Sequence, residues 1–288
     1  MTSCSEIANI DDPIELPKID MSDLAIAAKS VVDIPASQGA ANAKTVNIKN
    51  DPIIEKVITM SDGTYIAYLK SLTRAASNQV TGNYEVKGNM IVCTIQVGAQ
   101  TFVVEIPVSV AESAIINGTT VDCQEETKLQ ETPQLVSLCR TWYPTKYQAV
   151  VYSDEGTVSH EKKIFGNYEA TTLAQLEQTI EKESKTDINL LDGELEKFSF
   201  LSDGTLVTTY ADKCNSFTWE WTAESKGEFK ASFGNDAKFQ NLPSFVRYQA
   251  GTTNIAEFVL ECQVEVKGKN NENVNAIVKA IITAKDTE

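Results

Sequence analysis

The chain has 288 residues, enough for one large or two medium domains that each bury a core. Apolar residues make up 42% and charged residues 23%, ordinary globular proportions that exclude wholesale disorder. A formal net charge of -15 argues against a nucleic-acid partner, because the surface is poorly suited to neutralise a phosphate backbone and release its counterions.

The same charge disfavours docking of basic residues on an anionic membrane, and leaves calcium capture by surplus carboxylates open. No apolar run approaches the roughly 20 residues of a spanning helix. At the start, Met1-Thr2-Ser3-Cys4 places small residues before a cysteine. This tetrapeptide resembles the end of a bacterial lipobox, which implies lipidation at Cys4 and contact with a membrane only through that anchor. Residues 1–43 read as a flexible tether. They are acidic, carry Pro13, Pro17 and Pro35, and end in the small-residue run Ala36 to Ala43, which buries little.

Ordered structure is expected from Lys44, as a meander of five or six strands over residues 44–110. The alternation of Lys44–Ile48 starts it, and Ile54–Met60 and Tyr65–Lys70 flank the turn Ser61-Asp62-Gly63-Thr64. An Asp-Gly pair between β-rich runs is a strong hairpin signal, because both central residues of a type I′ turn need positive φ. Further strands follow at Asn83–Val86, Met90–Val97 and Phe102–Val108. Residues 111–134 are polar and read as a linker, with Asn117-Gly118 a turn within it.

Residues 135–288 form the expected second domain. One amphipathic helix is predicted over Leu173–Ser184, with Thr172 as N-cap, Gln175 three residues on, and an apolar stripe of Leu173, Leu176 and Ile180. The first turn then recurs as Leu201-Ser202-Asp203-Gly204-Thr205-Leu206. Each copy is followed within about twenty residues by a strand with an aromatic, Gly82-Asn83-Tyr84 and Trp219-Glu220-Trp221. The fold expected is mainly β: two antiparallel domains, each a barrel or half-barrel, with one short helix in the second.

The second domain resembles the lipocalin-like domains of Bacteroidota lipoproteins. The resemblance rests on Leu138-Cys139-Arg140-Thr141-Trp142, on Phe198-x-Phe200-x-Ser202-Asp203-Gly204-Thr205, and on Trp219-Glu220-Trp221; the first domain shares only the turn and the strand after it. It implies an address in the cell envelope, anchored to the outer membrane, and a barrel able to hold a small apolar ligand. Trp142, Phe198, Phe200, Trp219 and Trp221 are the candidate lining. Core packing is the other role open to these rings, since each buries a large area in either case.

No catalytic constellation stands out. The one histidine, His160, sits in a polar segment; there is no nucleophile elbow, phosphate loop or metal-ligand spacing, and no cofactor is expected. Six scattered cysteines give no framework, although Cys123 and Cys139 could bridge. Three functions remain open. The first is a small-ligand module in the second barrel. The second is an assembly protein that binds an envelope protein or surface polysaccharide through exposed aromatics such as Trp142, Tyr143 and Tyr147. The third is a carbohydrate-active enzyme with paired carboxylates drawn from Glu220, Glu224, Glu257, Glu261 and Glu265.

Overall fold

A computed structural model describes residues 42–70, 78–153, 164–184, 193–211, 213–232, 244–267 and 273–286. Most of the expected tether, with Cys4, and His160 lie outside the described residues.

The first body is a closed antiparallel barrel of eight strands: β1 (Lys44–Ile48), β2 (Ile54–Thr59), β3 (Thr64–Leu69), β4 (Gln79–Lys87), β5 (Met90–Val97), β6 (Gln100–Pro107), β7 (Ser113–Ile116) and β8 (Thr119–Glu125). The expected linker over 111–134 is therefore corrected. Its first half is the β7–β8 hairpin, and β8 closes the barrel on β1. The polar composition hid a thin inward stripe of Ala114, Ile116 and Cys123. Asn117 and Gly118 make the turn, with φ of 49° and 79°.

In the second body, helix α1 (Pro133–Leu138) precedes β9 (Thr141–Ser153), β10 (Ile164–Ala170) and helix α2 (Leu173–Ser184). Seven strands follow: β11 (Leu195–Phe200), β12 (Thr205–Tyr210), β13 (Cys214–Ala223), β14 (Glu228–Ser232), β15 (Ser244–Tyr248), β16 (Ile255–Lys267) and β17 (Asn273–Asp286). β17 returns to β9 and closes an eight-stranded barrel, with β10 appended to β9. Helix α2 has the predicted bounds and buries Leu173, Leu176 and Ile180. Helix α1 is a second helix that strand reasoning passed over. Thr132 accepts from the Leu135 amide and Pro133 occupies the first turn, a start signal legible in the sequence.

The two barrels repeat one another in detail. In both turns an aspartate side chain accepts from the threonine amide two residues on: Asp62 from Thr64 at 3.1 Å, Asp203 from Thr205 at 2.9 Å. The Tyr84 amide donates to the Gly63 carbonyl and the Trp219 amide to that of Gly204. The tips of the same two rings match as well. Tyr84 Oη donates to the Met60 carbonyl at 2.9 Å, and Trp219 Nε1 to that of Leu201 at 3.1 Å. An ion pair ties the start of each barrel to its last strand, Lys44 of β1 with Glu125 at 3.0 Å and Arg140, just before β9, with Asp286 at 2.6 Å. Lys44 also donates to the carbonyls of Pro107, Val108 and Ser109, so its buried ammonium is fully used.

Each barrel fills its own interior, and a third, smaller apolar cluster lies between them. Ala43, Ile58, Met60 and Ile66 of the first meet Leu201, Val207 and Cys214 of the second. This explains why Val57, Ile58 and Thr59 are buried in succession, as are Phe198, Ser199 and Phe200. One side of each hairpin faces its barrel core and the other faces the neighbouring barrel. The polar contacts are reciprocal. The Thr45 amide donates to Asp203 at 2.9 Å, while the Thr141 amide, at the matching position, donates to Ser61 Oγ at 3.0 Å. The start of each barrel thus contacts the opposite turn, at neighbouring turn positions (Asp203 and Ser61), an approximate two-fold relation in which the duplicated units pack like the halves of a symmetric dimer.

Candidate binding site between the barrels

The interior of the second barrel is packed. Phe198, Phe200 and Phe258 meet edge-on or stacked, with centroids 4.7 to 6.1 Å apart. Trp142 packs on Phe258 at 5.1 Å and sends its indole N–H to the Leu138 carbonyl of α1. Trp219 sits 5.3 Å from Phe200 and 5.4 Å from the partly buried Trp221. The structure thus brings all five predicted aromatics into one core. The void beside Phe198 and Phe200 measures about 30 Å³, roughly the share of one water and far below a ligand pocket. Its lining is apolar apart from Thr208, whose buried hydroxyl has no hydrogen-bond partner among the described residues.

The larger space lies outside both barrels. A cleft of about 470 Å³ runs along their junction, within the range of small-molecule sites. β3 and β4 supply Thr64, Gln79, Thr81 and Asn83 to one wall, with Met60 and Ile66 beside the inter-barrel cluster. The other wall comes from β11 to β13, with Glu196, Lys197, Thr209, Tyr210 and Lys213. Lys197 donates to Asp62 at 2.5 Å and to Thr64 Oγ1 at 2.9 Å, and Tyr143 donates to the same aspartate at 3.0 Å. Burial alone would raise the pKa of Asp62. The hydrogen bonds from Lys197 and Thr64 and the lysine charge outweigh it and hold the carboxyl below its ordinary value. A bonded ion pair thus pins the two walls together.

The two-fold relation is broken beside the cleft at the pair Tyr68 and Thr209. In β2–β3, Lys56 stands opposite Tyr68; in β11–β12, Lys197 stands opposite Thr209. Tyr68 packs on the inter-barrel cluster, close to Cys214 and Ser216, and Lys56 lies 4.3 Å above its ring. Thr209 faces the matching ground, but its short side chain leaves that ground empty. Lys197, with no ring to cover, reaches across to Asp62 instead. Sequence reasoning missed this site; aligning the hairpins beyond their shared turn, to Tyr68 against Thr209, would have exposed the difference.

The remaining predicted residues do not form a site. The expectation of exposed aromatics is corrected: Trp142 and Tyr147 are buried, and Tyr143 is engaged with Asp62. Cys123 and Cys139 are free thiols, so the open disulfide pairing is not made. Glu257 pairs with Arg247 and Glu261 with Lys279, Glu265 accepts from Asn273, and Glu224 bonds Thr132 at the start of α1. Among the described residues the cleft lining holds one carboxylate, Glu196, where glycoside hydrolysis needs two. Among the described residues no group of three or more His, Cys, Asp or Glu is placed to hold a metal ion. The chain matches no protein-family model and no curated protein, so the reading of this site rests on its geometry.

Proposed function

We propose that this protein is a non-enzymatic binding module of the bacterial cell envelope, held to the outer membrane by a lipid at Cys4, whose small ligand sits between the barrels. One observation carries the binding site: about 470 Å³ of space at the junction against about 30 Å³ inside the second barrel. The five core aromatics then serve as scaffold, and the Asp62–Lys197 pair keeps the walls in a fixed relation before any ligand arrives, which lowers the cost of binding. The acidic tether and the small residues before Cys4 support the anchor.

Two measurements test the reading. A small-molecule thermal-shift screen on the native chain and on Thr209→Tyr should find compounds that raise the unfolding midpoint only of the native chain. Stabilisation that survives Thr209→Tyr and disappears on enlarging Thr208 would move the site into the barrel. Metabolic labelling with a fatty acid in a bacterial host, with the chain fused behind a lipoprotein leader, should mark the native chain and not Cys4→Ala. Equal labelling of both would remove the anchor.

A further inference from the structure

We infer that the ligand of the inter-barrel cleft is an uncharged, hydroxyl-rich molecule, namely a short neutral oligosaccharide. The inference rests on the binding site proposed above and adds its chemical class. Charge decides first. Lys197 is spent on Asp62, and the other charged groups of the lining are one carboxylate, Glu196, and one ammonium, Lys213, which lies 5.4 Å from the Tyr210 ring. With one group of each sign among the described residues of its lining, the cleft has no surplus charge there with which to select an ion, and the chain's charge of -15 repels anions.

Hydrogen-bonding capacity decides next. The side chains of Thr81, Asn83 and Glu196 line the cleft and have no hydrogen-bond partner among the described residues. An amide donates and accepts, a hydroxyl does both, and a carboxylate accepts from two neighbours at once. That set fits vicinal hydroxyl groups, which both donate and accept at fixed spacing. An aliphatic ligand would leave it unpaired, at a cost for each group desolvated. The volume suits a chain of a few rings.

The test is an array of immobilised neutral di- and trisaccharides, with uronic-acid oligosaccharides and decanoate as competing probes. The native chain should be retained by neutral saccharides. Asn83→Ala and Glu196→Gln should each weaken retention at least tenfold with an unchanged unfolding midpoint, and Thr209→Tyr should abolish it. Binding only of a uronic-acid oligosaccharide or of decanoate, lost in Thr209→Tyr, would overturn the sugar assignment and leave the cleft in place. If no probe shows binding that Thr209→Tyr removes, both the assignment and the cleft fall.

Discussion

Tyr68 and Thr209 occupy the same register position in two copies of one hairpin, opposite Lys56 and Lys197 respectively. The ring fills one side of the approximate two-fold junction, and the threonine leaves the other side open. A duplicated unit thus gains a site by losing a side chain. Nothing else in the hairpin needs to change for that to happen: the turn, its aspartate and the aromatic that follows keep their hydrogen bonds in both copies.

Exchanging the two side chains should have unequal effects on stability. Thr209→Tyr adds a ring to open space, so its thermal midpoint should stay within a few degrees of the native value, equivalent to about 1 kcal/mol or less. Tyr68→Thr removes packing from the inter-barrel cluster and should cost about 2 kcal/mol. Thermal denaturation followed by circular dichroism reads both. A steep loss in Thr209→Tyr would mean that the cleft walls are already in contact.

The junction should weaken in acid. The folded-state value of Asp62 lies below its ordinary one, so its contribution is fully present above about pH 4. That contribution is lost as pH falls through the lower, folded-state value. Asp62→Asn should remove this component of the acid transition and cost about 3 kcal/mol at neutral pH, because Lys197 is left without its carboxylate. Urea titrations at pH 7 and pH 3 give both numbers. An Asp62→Asn variant with the native pH profile would mean that the pair adds nothing.

Thr208 reports on the barrel interior. Its hydroxyl is buried beside an apolar void with no partner among the described residues, so Thr208→Val should raise stability by about 1 kcal/mol. A loss of similar size would show that the hydroxyl is satisfied by something held in the barrel, which would favour the interior as the ligand site.

Gly82 makes room for a ring. A Cβ there would fall 2.8 Å from Tyr65 Oη and 2.9 Å from two ring carbons, and Tyr65 is itself buried and donates to the Thr94 carbonyl. Gly82→Ala should therefore cost about 1 to 3 kcal/mol, measured by urea unfolding. Native stability would mean that the ring moves aside freely.

The turns, most strands and helix α2 were legible because each depends on local chemistry: a glycine at positive φ in each Asp-Gly pair, alternation along strands, and a cap before an apolar stripe. The type I′ form expected of these two turns is corrected, because Asp62 and Asp203 do not share the positive φ of Gly63 and Gly204. The β7–β8 hairpin was missed because its inward stripe is small residues set among polar ones. Burial on both sides of Ile58 and Ser199 comes from the neighbouring barrel, which no local pattern records. The site was hidden for the same reason. Its walls are polar outward faces of strands that read as ordinary solvated surface until two barrels are placed side by side. The aromatics that sequence reasoning offered as lining are the residues any such core would use.

The most direct test is an NMR map of backbone amide and indole shifts on titration with a neutral trisaccharide that the array retains. The account predicts that shifts concentrate at Thr64, Thr81, Asn83, Glu196 and Thr209 while the Trp142 and Trp219 indoles stay still. Movement of those indoles together with Phe198 and Phe200, and none along the junction, would contradict it.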